Sequence, residues 1–157
     1  MQVRPASGFT LLELLVVLAI VAIGSAGVGF AMRDGTQSQL EREALRLSAL
    51  LESARARSQL SGVPVRWLPQ ANGFRFEGLP PLADPQANLP TAWLDADTRA
   101  SVETAASSIR GEPAPLLLGS DPIIAPQVVV LASRSQPSKT LRLATDGVRP
   151  FAVQVLP

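Results

Sequence analysis

From Phe9 to Met32 the chain is apolar at nearly every position, FTLLELLVVLAIVAIGSAGVGFAM, and Glu13 is the one charge inside the run. At about 1.5 Å per residue, these roughly 24 residues make a helix of about 36 Å, longer than a hydrocarbon core of about 30 Å. The pattern predicts a membrane-spanning helix over 9–32. Between Gln37 and Leu60 the apolar positions become periodic: Leu40, Ala44, Leu47, Leu51 and Ala54 recur at helical spacing and form one stripe. Glu41, Arg42, Glu43, Arg46, Glu52, Arg55 and Arg57 fall mainly outside that stripe and are expected to form a solvated face. Gly62 and Pro64 end the periodicity as helix stop signals do. If Asp34 and Gly35 do not interrupt it, one helix runs from Phe9 to Leu60, about 78 Å long.

Beyond Gly62 the period shortens to two. Val63–Leu68 and Phe74–Glu77, separated by Pro69-Gln70-Ala71-Asn72-Gly73, predict a β-hairpin. Leu79–Pro126, rich in Pro, Ala and Asp, sustains neither period and predicts variable loop with at most a short helix or strand. Gln127–Ala132, Thr140–Ala144 and Phe151–Leu156 are strand candidates, the last two joined by a turn at Thr145-Asp146-Gly147. The expected fold class is α+β, with one antiparallel sheet on the apolar face of the 40–54 helix.

Composition narrows the chemistry. The 157 residues allow one ordinary domain, and 14 Lys plus Arg against 13 Asp plus Glu leave a net charge of +1 with no block of like charge. That balance argues against nucleic acid as a partner. Without His or Cys, the chain lacks the commonest metal ligands, the usual neutral-pH base, the thiol nucleophile and any disulfide. Asp95 and Asp97, with Asp84 nearby, offer oxygen ligands but no calcium-loop spacing, and Ser without His makes no conventional triad. The expectation is a protein with no enzymatic activity, metal or cofactor. Trp67 and Trp93 are expected in the core rather than as interface anchors.

The charge in the apolar run needs a reason, because a carboxylate within a membrane span costs a few kcal/mol. A secretory signal peptide cut near Gly24, Ser25, Ala26 and Gly27 is one competing reading, but such apolar regions run only about 7 to 15 residues. The junction Gly8-Phe9-Thr10-Leu11-Leu12-Glu13 followed by a long aliphatic stretch resembles the type IV prepilin motif. The resemblance implies a leader at 1–8, cut by a prepilin peptidase between Gly8 and Phe9, with methylation of the new amine on Phe9. It further implies that Glu13 pairs with the terminal amine of a neighbouring subunit during filament assembly. A buried carboxylate is tolerable where a cation meets it, and cleavage creates one nearby. Gly24, Gly27 and Gly29 fit either close helix packing or a stretch that unwinds on assembly.

The rest of the chain is similar in pattern to minor pseudopilin H of type II secretion: the EREALRLSALLESARARSQLSG helix, VPVRW, LPTAWL, PIIAPQVVVL and LRLATDG. This implies a pilin-like fold: span 9–32, helix continuation 33–62 and periplasmic β-rich head 63–157. The implied partners are the inner membrane, the other minor pseudopilins and the major pseudopilin, in a periplasmic pseudopilus that exports folded proteins. Arg4 and the terminal amine ahead of the run orient the head outward. The alternative is a type IV pilus minor pilin acting in DNA uptake. Residues 33–157 carry thirteen Lys plus Arg against twelve Asp plus Glu, and FAVQVLP is uncharged, so a basic DNA-gripping tail is missing.

Overall fold

The computed structural model describes residues 11–80, 87–103 and 115–154, with side chains at 24–34 excluded. It divides into two units, Met1–Gly35 and Thr36–Pro157. In the first, the helix α1 begins; its bounds are Leu11–Ser61, so Asp34 and Gly35 do not break it. Among the described residues no helix is long and apolar enough to cross a membrane. The expected span over 9–32 falls partly outside them: the fully described apolar stretch, 11–23, is about 20 Å of helix against a core of about 30 Å.

In the second unit, the stripe expected from sequence is the buried face of α1. Leu40, Ala44, Leu47, Leu51 and Ala54 are each at most 2% exposed, and Ser58 extends the row by one turn. The helix closes where the sequence says it should. Gly62 adopts φ 69°, a left-handed conformation suited to glycine, and its N–H donates to the Ser58 carbonyl at 2.9 Å.

Seven strands follow among the described residues: β1 Val65–Gln70, β2 Gly73–Glu77, β3 Thr98–Glu103, β4 Leu116–Leu118, β5 Gln127–Ser133, β6 Thr140–Thr145 and β7 Ala152–Gln154. They form two antiparallel sheets, β2-β1-β4 and β3-β5-β6-β7, rather than the one expected. The fold is therefore α+β, a long N-terminal helix packed on antiparallel sheets, consistent with a pilin-like fold. The hairpin at β1–β2 holds, but its turn is tighter than expected: Gln70 pairs with Gly73, leaving only Ala71 and Asn72 between. Pro69 is tolerated in a middle strand because β4 pairs only with Val65, Arg66 and Trp67, so nothing on that side needs a Pro69 N–H.

The division into two sheets has a local cause in Gln127. Its side-chain amide accepts from the Leu117 N–H at 2.7 Å and donates to the Leu117 carbonyl at 2.8 Å. A side chain thus satisfies the edge of β4 where another strand would have paired. The core runs under both sheets, joining the α1 stripe to Val65, Trp67, Phe74, Leu116 and Leu118 on one and Val102, Val129, Leu131, Leu141 and Leu143 on the other.

Candidate functional site

The residues singled out for processing and assembly lie at the N-terminus. Gly8 and Phe9 are outside the described residues. Glu13 stands in the first turn of α1 and is exposed, where a carboxylate is favoured by the positive end of the helix dipole. Leu11, Leu12, Leu15, Ile20 and Ile23 are each more than 60% exposed and point to several sides of the helix. A helix apolar all round belongs in a bundle or in lipid. Gly24, Gly27 and Gly29 lie in the stretch without side-chain description, so the choice between packing and unwinding falls outside the described residues.

In the head, the polar border of the buried stripe does more than face solvent, which corrects the expectation for Glu43 and Arg55. Glu43 is 1% exposed: it accepts from Arg46 at 2.8 Å and from the Leu94 N–H at 2.6 Å. Arg46 also donates to the Ala92 carbonyl and Arg57 to the Ala87 carbonyl, both at 3.0 Å, so this border of α1 holds the 87–94 segment. On the other border Arg55, 5% exposed, donates to the carbonyls of Pro122 at 2.6 Å and Gly147 at 2.8 Å. Ser48 and Glu52 bond the backbone of Phe151, the hydroxyl to its carbonyl and the carboxylate to its N–H. One helix therefore clamps two loop systems. The signal was present in the sequence, because Glu43 and Arg55 fall within about one helical step of the stripe's edges.

Trp67 and Trp93 are core residues as expected, 0% and 8% exposed. They stack around Phe74, with ring centroids 5.8 Å and 4.7 Å away in tilted geometry. Asp84 lies outside the described residues. Asp95 and Asp97 are engaged in turn chemistry: the Asp97 N–H donates to Asp95 at 2.8 Å, while the Asp97 carboxylate accepts from the hydroxyls of Ser133 and Ser135 and from the Ser135 N–H. The Ser133 hydroxyl first, and Ser135 second, hold the Asp97 carboxyl below its ordinary value of 3.8.

A depressed carboxyl stabilises the fold at pH above its unfolded-state value, and that contribution is lost as pH falls through the lower folded-state value. The head is expected to weaken below about pH 4, and Asp97→Asn to flatten that decline. Urea unfolding of residues 33–157 at pH 6 and pH 3 checks it. A fall between the two pH values just as steep in the variant would remove Asp97 from the acid response.

A groove of about 660 Å³ lies beside β4 and is lined by Leu117, Ile123 and Ile124 with Glu103, Asp121 and Gln127. Gln127 is occupied by the Leu117 backbone and Glu103 by Arg142 at 2.6 Å. Two of its three polar side chains, Gln127 and Glu103, are thus engaged in holding the fold.

The prokaryotic N-terminal methylation motif matches residues 3–29. The chain carries a type IV pilin-like prepilin signal. The match covers the Gly8-to-Glu13 junction and most of the apolar run, and such a signal implies membrane anchoring and assembly into a pilus-like structure. No curated protein and no solved structure matches the chain.

Proposed function

We propose that this protein is a non-enzymatic filament subunit, a minor pseudopilin of a type II secretion pseudopilus. It is held in the inner membrane by its N-terminal helix, with the head in the periplasm. The prepilin signal at 3–29 is the observation that carries the reading. It supplies a peptidase junction at Gly8-Phe9, a methylated amine on Phe9 and an acid, Glu13, for the amine of a neighbour. The head is compatible with it, because Glu43 and Arg55 on the borders of α1 bond the head's own loops. Secretion is preferred over DNA uptake because thirteen Lys plus Arg against twelve Asp plus Glu in residues 33–157 build little phosphate attraction.

Membrane-extracted protein is expected to have lost Met1–Gly8 and gained one methyl group, read by intact mass. Deleting the gene is expected to stop export of folded exoproteins, with pili and DNA uptake intact. A chain starting beyond Ala22 would establish secretory cleavage and defeat the filament reading. Lost DNA uptake with intact export would assign the subunit to a type IV pilus.

A further inference from the structure

Three cations stand at one end of the second sheet without a salt bridge among the described residues: Arg99 in β3, Arg134 just past β5 and Lys139 just before β6. Arg99 and Arg134 are exposed and Lys139 is half-buried. Antiparallel pairing gathers them, because Thr98 lies opposite Ser133 and Ala132 opposite Thr140. The turn that carries the last two is fixed by its backbone. The Arg134 N–H donates to the Asp97 carbonyl at 2.8 Å, the Ser133 N–H to the Lys139 carbonyl at 3.3 Å and the Lys139 N–H to the Gln136 carbonyl at 2.9 Å. Three carboxylates share this end. Asp97, half-buried, is turned onto Ser133 and Ser135, and half-buried Asp95 accepts the Asp97 N–H. Glu41, exposed, shares a pocket with Thr140 and accepts from Gln37. The two aspartates thus serve the turn, while Arg99 and Arg134 stand out into solvent.

This is the end of the head nearest the anchor. Thr36, the first residue of the head unit, lines one small cavity with Asp95, Asp97 and Ser133. Only Arg33, Asp34 and Gly35 separate it from Met32, the last residue of the apolar run. Whatever angle the helix takes, four steps of at most about 3.6 Å keep Thr36 within about 14 Å of that run. A headgroup layer is about 5–8 Å thick, and a surface charge is felt for about 8 Å beyond it. We infer that Arg99, Arg134 and Lys139 form a contact for the anionic phospholipid headgroups of the membrane that holds the N-terminal helix. Guanidinium and ammonium groups donate to phosphate oxygens, and each cation near an anionic surface strengthens the attraction about fivefold. Three cations alone hold a protein weakly, and the tether supplies the effective concentration that makes the contact form. The inference rests on the anchoring implied by the signal at 3–29 and not on the secretion role.

The chain has no cysteine, so Ser138→Cys, exposed in the same turn, takes a single fluorophore. The full-length protein is placed in vesicles of phosphatidylcholine, or of equal parts phosphatidylcholine and phosphatidylglycerol. Both carry the same trace of headgroup-spin-labelled lipid, and flotation confirms anchoring. Quenching is expected to be at least about threefold stronger in the phosphatidylglycerol vesicles. Arg134→Glu with Lys139→Glu should return it to the phosphatidylcholine level, and Arg134→Gln with Lys139→Gln should fall between. Circular dichroism checks that each variant folds. Val148→Cys, exposed beyond the far end of β6 and about 20 Å away, should be quenched little in either membrane. Sodium phosphate should reduce the signal no more than sodium chloride of equal ionic strength. Equal quenching in the two membranes, no response to charge reversal, or equal quenching at position 148 overturns the inference. So does a loss specific to phosphate, which would assign the cluster to the free anion. Because flotation is read separately, failure of this contact is distinct from failure of the anchoring on which it rests.

Discussion

Gly147→Ala is expected to destabilise the head by about 2–5 kcal/mol, with the midpoint of urea unfolding of residues 33–157 falling accordingly. Gly147 has φ 93°, which costs an L-residue roughly 1–2 kcal/mol, and an added Cβ would fall on the Ile124 carbonyl oxygen, a backbone atom that cannot swing aside. The Gly147 carbonyl accepts from both the Ile124 N–H at 3.2 Å and Arg55 at 2.8 Å. Displacing this turn therefore pulls on the β6–β7 connection, the 122–125 loop and the helix at once. Arg55→Met, which takes a buried cation from two carbonyls, should reproduce much of the loss, since each hydrogen bond to a charged group contributes about 1.5–3 kcal/mol. Gly35→Ala serves as control: a Cβ there meets nothing within 4 Å, and helix propensity favours Ala by about 1 kcal/mol. Against a total of roughly 5–15 kcal/mol, the first two substitutions leave a marginal head and the third does not. Equal midpoints for Gly147→Ala and Gly35→Ala would show that the turn is not a fixed point of the fold.

The parts of this molecule that sequence made legible are those where one residue type repeats at one period. Leu40 to Ala54 recur at helical spacing, β5 is a short unbroken apolar run from Val128 to Ala132, and β6 sets Leu141 and Leu143 either side of Arg142 before the Asp146-Gly147 turn. The strands β3 and β4 were not legible for physical reasons. Thr98–Glu103 offers the core Thr98, half-buried Ala100 and Val102, with Arg99, Ser101 and Glu103 facing out, and with a Thr and an Ala as two of its three inward residues the alternation is too weak to stand above loop. Leu116–Leu118 is three residues long, shorter than any window that defines a period. The second sheet was hidden for another reason: it depends on one glutamine amide standing in for a peptide group, and a polar residue at a strand start says nothing about what it will bond. Glu43 and Arg55 share that blindness, because periodicity grades a position as polar without naming the backbone groups that make burial tolerable. The residues proposed for processing and assembly present the opposite case: Gly8, Phe9 and Glu13 lie in a linear motif, matched over 3–29, that needs no folded surface to be read.

Glu13→Leu is expected to leave insertion and cleavage after Gly8 intact while abolishing assembly and, with it, export. Insertion should not suffer, because removing a charge from an apolar run favours transfer to lipid. Any loss must then arise later, where helices meet. In the proposed filament the methylated amine of one subunit lies against Glu13 of another, and truncating one partner of such a buried pair costs about 3–5 kcal/mol. At about 1.4 kcal/mol per decade that is a weakening of a hundredfold or more, enough to exclude the variant from a filament built by competition among subunits. Glu13→Asp, which keeps the charge on a shorter stem, should recover part of the loss, and a merely volumetric role for position 13 would show no such order. Crosslinking to neighbouring subunits in membranes, scored beside exoprotein export and intact mass, separates the stages. Cleaved, membrane-held Glu13→Leu protein that still crosslinks and still supports export would reduce the carboxylate to a helix-start charge and transfer the work of assembly to the apolar faces of α1.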